Sequence, residues 1–201
     1  MLEEFKADLD RYVLMDEQPW WLLLLTKQSL WAIAQYRFSR WVHFHVHIPG
    51  IRLLLKIICA VWQKLIEIIT GSELPNRTEI GKGLYIPHAN GIFIHCDVKI
   101  GDYCNLHQQV AIGVAGRGEK QGCPTLGDRV FIGPGAKIFG AISIGNDVAI
   151  GANAVVTKDL PDRAVSVGVP GEIISDKGSE DLMVYREASE STLEVPTHET
   201  N

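Results

Sequence analysis

The stretch that decides the fold is IGPGAKIFGAISIGNDVAIGANAVV, residues 132–156. An aliphatic residue stands at every sixth position: Ile132, Ile138, Ile144, Ile150 and Val156. Glycine follows directly at Gly133, Gly145 and Gly151. An α-helix repeats every 3.6 residues and a flat strand every two, so a period of six fits neither. It fits a parallel β-helix of stacked hexapeptides. One side chain per hexad points inward, and the Gly, Asn or Asp beside it lets the backbone turn a corner. Reading outward, the beat includes Leu126 and, across a gap, Ile112, Leu106, Ile100 and Ile94. Such a prism has flat walls, sharp corners and few clefts. Chemistry belongs where the repeat breaks or where two prisms meet.

The chain has 201 residues and a formal net charge of −5, which gives no sign of a nucleic-acid partner. The acidic start, MLEEFKADLDRYVLMDEQ, has no basic segment and no small-residue cleavage site, so no secretory signal is expected. Cys59, Cys96, Cys104 and Cys123 form no C-x-x-C pair and read as reduced thiols. Together these features point to a cytoplasmic protein.

Three zones follow. Residues 1–72 form an N-terminal helical region without the beat, with helices over 19–35 and 51–70 and a break at Pro49-Gly50. Neither helix has the long uncharged run of a membrane span. The region reads in two ways. It is a cap packed on the β-helix or on a second subunit. Alternatively it is an interfacial helix at the inner face of a membrane, with Trp20, Trp21, Trp31, Trp41, Arg37 and Arg40 at the headgroups. Residues 73–175 carry the β-helix, whose beat ends at Lys158-Asp159-Leu160-Pro161, and residues 160–175 are expected to fold back over its open end. Residues 176–201 are acidic and poor in large apolar side chains, the composition of a flexible tail.

The beat slips twice. Ile80, Ile86 and Ile92 agree with one another, but the sustained run begins at Ile94, two residues late. The slipped segment is Pro87-His88-Ala89-Asn90-Gly91-Ile92-Phe93, and His88 is its one side chain that titrates near neutrality. The second slip separates Ile112 from Leu126 by fourteen residues instead of twelve. Its glycine-rich polar content, Gly113 to Cys123, reads as a flap leaving the prism. A histidine at one break and a flap at the other outline a cleft between neighbouring prisms.

The run TEIGKGLYIPHANGI (residues 78–92) resembles the hexapeptide acyltransferases of the serine acetyltransferase type. So does IGANAVVTKDLP (150–161), followed by VGVPG (167–171). The resemblance covers residues 73–175. It implies a left-handed β-helix, a homotrimer, and transfer of acetyl from acetyl-CoA to a hydroxyl. It implies that His88 is the general base, since imidazole titrates close enough to neutrality to deprotonate an attacking alcohol. It implies that Glu73, a Glu where the family has Asp, orients that ring. It also implies that pantetheine lies along Gly113-Val114, Gly133-Pro134 and Gly151-Ala152, with Lys158 near a CoA phosphate. No metal is expected.

The departures shape the acceptor. Pro87 stands where the family has an Asp before its histidine, and Gly122-Cys123 stand where it has Arg-His before the flap proline, here Pro124. Those polar groups hold the charged ends of an amino acid. The expected function is therefore an acetyl-CoA-dependent O-acetyltransferase acting on a sugar hydroxyl of an exopolysaccharide or its precursor. Serine O-acetylation is the alternative, and a non-catalytic assembly module is the alternative of another class. His43 and His47 share a helix face, but no carboxylate or cysteine lies near them in sequence. His95 and His107, each one residue past a beat position, are expected to point outward, and either would serve in place of the family's flap histidine.

Overall fold

The computed structural model describes residues 1–118 and 121–183. Four helices come first: α1 (Leu2–Asp16), α2 (Trp20–Thr26), α3 (Gln28–His45) and α4 (Pro49–Thr70). The sequence reading did not assign α1, and the helix it placed over 19–35 is two. Lys27 leaves helical backbone at φ −93°, ψ 104° and pairs with Asp16 at 2.9 Å, and α3 then continues to His45. Pro49-Gly50 opens α4 instead of breaking a helix. A proline in the first turn gives up an N–H that has no intrahelical partner anyway. The break is Val46-His47-Ile48.

Side chains of α1 and α3 cap the first coil. That coil has no strand beneath it, so its backbone polar groups need other partners. Tyr36 Oη donates to Thr78 O at 2.8 Å and accepts from Ile80 N at 3.1 Å. Tyr12 Oη does the same for Ile86 O and Ile86 N, at 2.8 and 3.1 Å. Arg37 donates to Ile80 O and Gly81 O and pairs with Asp8, which in turn accepts from Leu84 N at 2.8 Å. Arg11 reaches Gly83 O at 2.7 Å and Asn105 Oδ1 at 2.6 Å.

α4 packs on α3 and buries Cys59, Ile66 and Thr70. On its other side Ile51, Leu54, Ile58, Val61, Leu65 and Ile68 are 46–73 % exposed, at alternating spacings of three and four residues. Among the described residues no helix is long and apolar enough to cross a membrane.

The rest is a left-handed parallel β-helix with three walls. The first wall is built from β1 (Glu79–Ile80), β3 (Lys99–Ile100), β6 (Thr125–Leu126) and β9 (Ser143–Ile144). The second holds β4 (Asn105–Leu106), β7 (Phe131–Ile132), β10 (Ala149–Ile150) and β12 (Val165–Val167). It ends in the antiparallel β13 (Glu172–Ser175). The third is β2 (Phe93–Ile94), β5 (Ala111–Gly113), β8 (Lys137–Phe139) and β11 (Val155–Val156). Beat residues stack directly: Ile94 on Ile112 on Ile138 on Val156, and Ile100 on Leu126 on Ile144. All of these are buried. The glycine after the beat serves stacking more than turning. A Cβ on Gly101 would lie 2.5 Å from Gly127 O of the next coil, so only glycine lets the coils close up there. The corners are instead turned in left-handed backbone by residues such as Asp147 (φ 56°) and Asn153 (φ 56°).

The C-terminal end departs from expectation. The coil does not stop at Leu160, which bridges to Ile144, and β12 adds another rung before β13 folds back over it. The packed body also passes residue 175. Ser179 is buried with its Oγ donating to Arg129 O at 2.6 Å, and Met183 is buried. The remainder of the segment read as a tail, 184–201, lies outside the described residues.

Candidate active site

The first slip is a two-residue insertion. Ile86 on the second wall and Ile94 on the third are eight residues apart where six would suffice. The surplus bulges at Pro87-His88-Ala89-Asn90-Gly91. Asn90 N donates to His88 O at 2.9 Å and Gly91, at φ 65°, donates to Thr70 O at 3.2 Å. Ala89 is buried, so the bulge is anchored, and His88 is left exposed beside it.

Glu73 lies at the foot of this segment. Its N–H donates to Ile92 O at 2.7 Å, and it bridges to Phe93. The structure therefore brings Glu73 and His88 to one segment by backbone pairing. Both side chains are exposed, and among the described residues neither forms a side-chain hydrogen bond.

His107, expected to point outward, lies on the outer face of the wall near His88. It is half-buried and its ring packs on Phe131 at 4.8 Å. Nδ1 lies 3.0 Å from Ile132 O. A carbonyl only accepts, so Nδ1 carries the proton and Nε2 holds the lone pair. Burial pushes the His107 pKa down, the Ile132 carbonyl opposes this, and the charge of His88 adds to the lowering. The last effect marks the two rings as electrostatic neighbours. The signal in the sequence was their separation of about one coil, which wall phase alone does not convert into contact. His95, also expected to point outward, meets the flap. Its Nδ1 lies 3.2 Å from Cys123 Sγ at the end of the flap.

The second slip is larger than the two residues read from sequence. Ile112 and Leu126 sit on successive walls, so fourteen residues replace six and the flap holds eight extra. Ala115 and Gly122 close its base by exchanging N–H···O bonds of 3.1 and 3.0 Å. Gly122 fits because a Cβ there would lie 2.7 Å from Ala141 Cβ.

The residues expected to hold CoA divide between two corners. Gly133-Pro134 and Gly151-Ala152 stack after the second wall, with Gly133 N on Ile150 O at 2.8 Å and Asn153 N on Pro134 O at 2.8 Å. This column continues down to His107, and His88 lies below it. Gly113, Val114 and Lys158 follow the third wall, where the flap leaves. Val114 is 41 % exposed. Two cavities, of about 350 and 230 Å³, lie beside α3 against Arg77, Asp97 and Lys99 and between α3 and α4, and neither touches His88. We assign the site by the corner geometry, because flat walls leave cavities only where other elements meet them.

Comparison with known proteins places the fold among acetyltransferases. The bacterial transferase hexapeptide (six repeats) family matches residues 124–158. A serine acetyltransferase of Helicobacter pylori strain J99 is 36 % identical over 155 residues, spanning 77 % of this chain and 86 % of the relative. Soybean serine acetyltransferase complexed with serine superposes with a TM-score of 0.73 at 26 % identity, over 86 % of this chain and 68 % of that one. A serine acetyltransferase in complex with CoA gives 0.72 at 26 % identity, over 86 % and 69 %.

Proposed function

We propose an acceptor, a mechanism and an assembly for this chain, which belongs to the serine acetyltransferase family and is an acetyl-CoA-dependent acyltransferase. The acceptor is the hydroxyl of serine. The sugar acceptor expected from sequence is displaced, because the matched relatives are serine acetyltransferases and solved neighbours hold serine. The observation that carries the chemistry is the exposed His88 on an anchored insertion at the foot of the corner column.

His88 takes the proton of the serine hydroxyl as the oxygen attacks the thioester carbonyl. The tetrahedral intermediate collapses, the C–S bond breaks, and the imidazolium returns its proton to the leaving thiolate, giving O-acetylserine and CoA. Glu73 orients the ring. Burial lowers the pKa of His107, which disfavours a second positive charge beside the base. Small residues on the column let the pantetheine arm approach backbone groups, and Lys158 meets a CoA phosphate.

The assembly is a homotrimer. A chain carries one groove wall at its second corner and the other, with the flap, at its third. A rotated neighbour sets one against the other, as a closed symmetric ring allows. The exposed stripe on α4 has the alternating three-and-four spacing of a helix-pairing seam and is covered by another copy.

The test is release of CoA thiol from acetyl-CoA with serine and, separately, with a panel of sugars. Turnover of serine that is lost in His88→Ala supports the reading. Sugar turnover with inert serine would return the acceptor to a glycan, which Pro87, Gly122 and Cys123 favour by removing charged groups around the acceptor.

A further inference from the structure

Serine carries an ammonium, and binding it needs a hydrogen-bond acceptor beside the base. Pro87 and Gly122 offer no side-chain acceptor, and the Cys123 sulfur faces His95. One nitrogen at the corner of His88 is unused. Leu106 N donates to Tyr85 O at 3.0 Å and Gln109 N donates to Asn90 O at 2.8 Å, so His107 stands over the Pro87-His88 insertion. Its ring lies on Phe131 of the next coil, with centroids 4.8 Å apart. Nδ1–H donates to Ile132 O at 3.0 Å, which turns that edge of the ring toward the coil above and the Nε2 edge away from it. The carbonyl does not need this bond, because Ile132 O already accepts from His107 N at 3.1 Å. What the bond does is fix the tautomer and the direction of the ring. Nε2 keeps a lone pair and, among the described residues, has no donor to fill it.

We propose that His107 Nε2 accepts a hydrogen bond from the ammonium of the acceptor amino acid, and so selects a hydroxyl substrate that also carries an amine. The inference rests on serine being the acceptor, and adds the group that recognises its amine. The chemistry of the nitrogen chooses this partner. An unprotonated Nε2 only accepts, so it does not hold the substrate carboxylate, a thioester oxygen or a CoA phosphate. An ammonium brings three N–H donors. Burial lowers the His107 pKa, which keeps the lone pair available at neutral pH. His88 on the coil below remains the base. Neighbouring coils are about 4.8 Å apart, a span that the vicinal amine and hydroxyl of serine bridge with one hydrogen bond to each imidazole. His95 does not compete for the role. It follows the third wall, and its Nδ1 already accepts from Asp97 N at 3.2 Å.

The experiment is steady-state kinetics of the full chain with serine, and with 3-hydroxypropionate, which is serine without its amine, as a competing acceptor. His107→Phe keeps an aromatic ring against Phe131 and removes the lone pair. It should raise the KM for serine roughly ten- to a hundredfold, the worth of a charge-assisted hydrogen bond, and leave the KM for acetyl-CoA and competition by 3-hydroxypropionate unchanged. His107→Gln, whose amide can donate to Ile132 O and still offer an oxygen, should recover most of the loss. A second measurement uses the unaltered protein with nitrogen-15-labelled histidine. Serine should move the His107 Nε2 resonance, and 3-hydroxypropionate should not. An unchanged serine KM in His107→Phe, an equal loss with both compounds, or an Nε2 resonance indifferent to serine overturns the inference and leaves serine as the acceptor. Failure of the unaltered protein to turn over serine at all overturns the acceptor first, and this inference with it.

Discussion

Replacing Arg37 by Met tests whether the helical region is a polar cap on the β-helix. The Arg37 and Asp8 side chains are 1 % and 0 % exposed and meet at 2.9 Å. Met keeps most of the packing stem but strands three groups: the Asp8 carboxylate and the carbonyls of Ile80 and Gly81. Among the described residues, the Leu84 N–H would be the hydrogen-bond donor left to Asp8. Removing one partner of a buried ion pair costs about 3–5 kcal/mol. For a chain of this size each kcal/mol moves the melting midpoint by roughly 2–4 °C, so a fall of about 6–20 °C is expected. Removing both charges in the Asp8→Asn, Arg37→Met double variant relieves the stranded carboxylate. Its loss should fall short of the sum of the single losses by more than about 1 kcal/mol. Calorimetry of the four proteins closes the cycle. A midpoint shift under 2 °C for Arg37→Met, or strictly additive losses, would refute the cap.

Other outcomes can be stated briefly. His88→Ala should lower kcat by about 10²–10⁴-fold with the KM for acetyl-CoA nearly unchanged, and Glu73→Gln should cost less; steady-state kinetics decide, and near-normal turnover in His88→Ala removes it as base. His107 makes a pH prediction. Its folded pKa lies below the ordinary value near 6.5, so as pH falls through that value the unfolded chain binds the proton first and native stability drops. His107→Gln, which can still donate to Ile132 O, should flatten that part of the denaturant-derived stability profile; an unchanged slope would clear His107. Sedimentation at micromolar concentration should show a trimer, and Leu54→Glu with Val61→Glu in α4 should change the assembly. A wild-type monomer that instead floats with anionic vesicles would give the α4 stripe to a lipid surface.

The sugar acceptor was inferred from three positions, Pro87, Gly122 and Cys123, each judged by the charge it lacks. Substitutions read singly do not show what replaces them. The structure puts His95 against Cys123 and His107 beside His88, two imidazoles near positions that looked depleted.

The sequence by itself determined the β-helix, the beat residues at its core, the two slips and His88 as the side chain at the first of them. These are legible because the hexad is local: six residues contain one inward side chain and one corner, whatever lies above or below. Tertiary structure alone decided the rest. Arg11, Tyr12, Tyr36 and Arg37 satisfy the first coil across 42 to 74 residues of chain, and nothing near them in sequence announces a partner. The flap's true size appears only once Ile112 and Leu126 are known to occupy adjacent walls. The two columns of small residues look alike along the chain, and the winding of the coil assigns them to different corners. A period fixes which way a side chain points. Which distant residue it meets depends on how many residues each turn of the coil consumes, and the two insertions alter that count where the candidate active site is built.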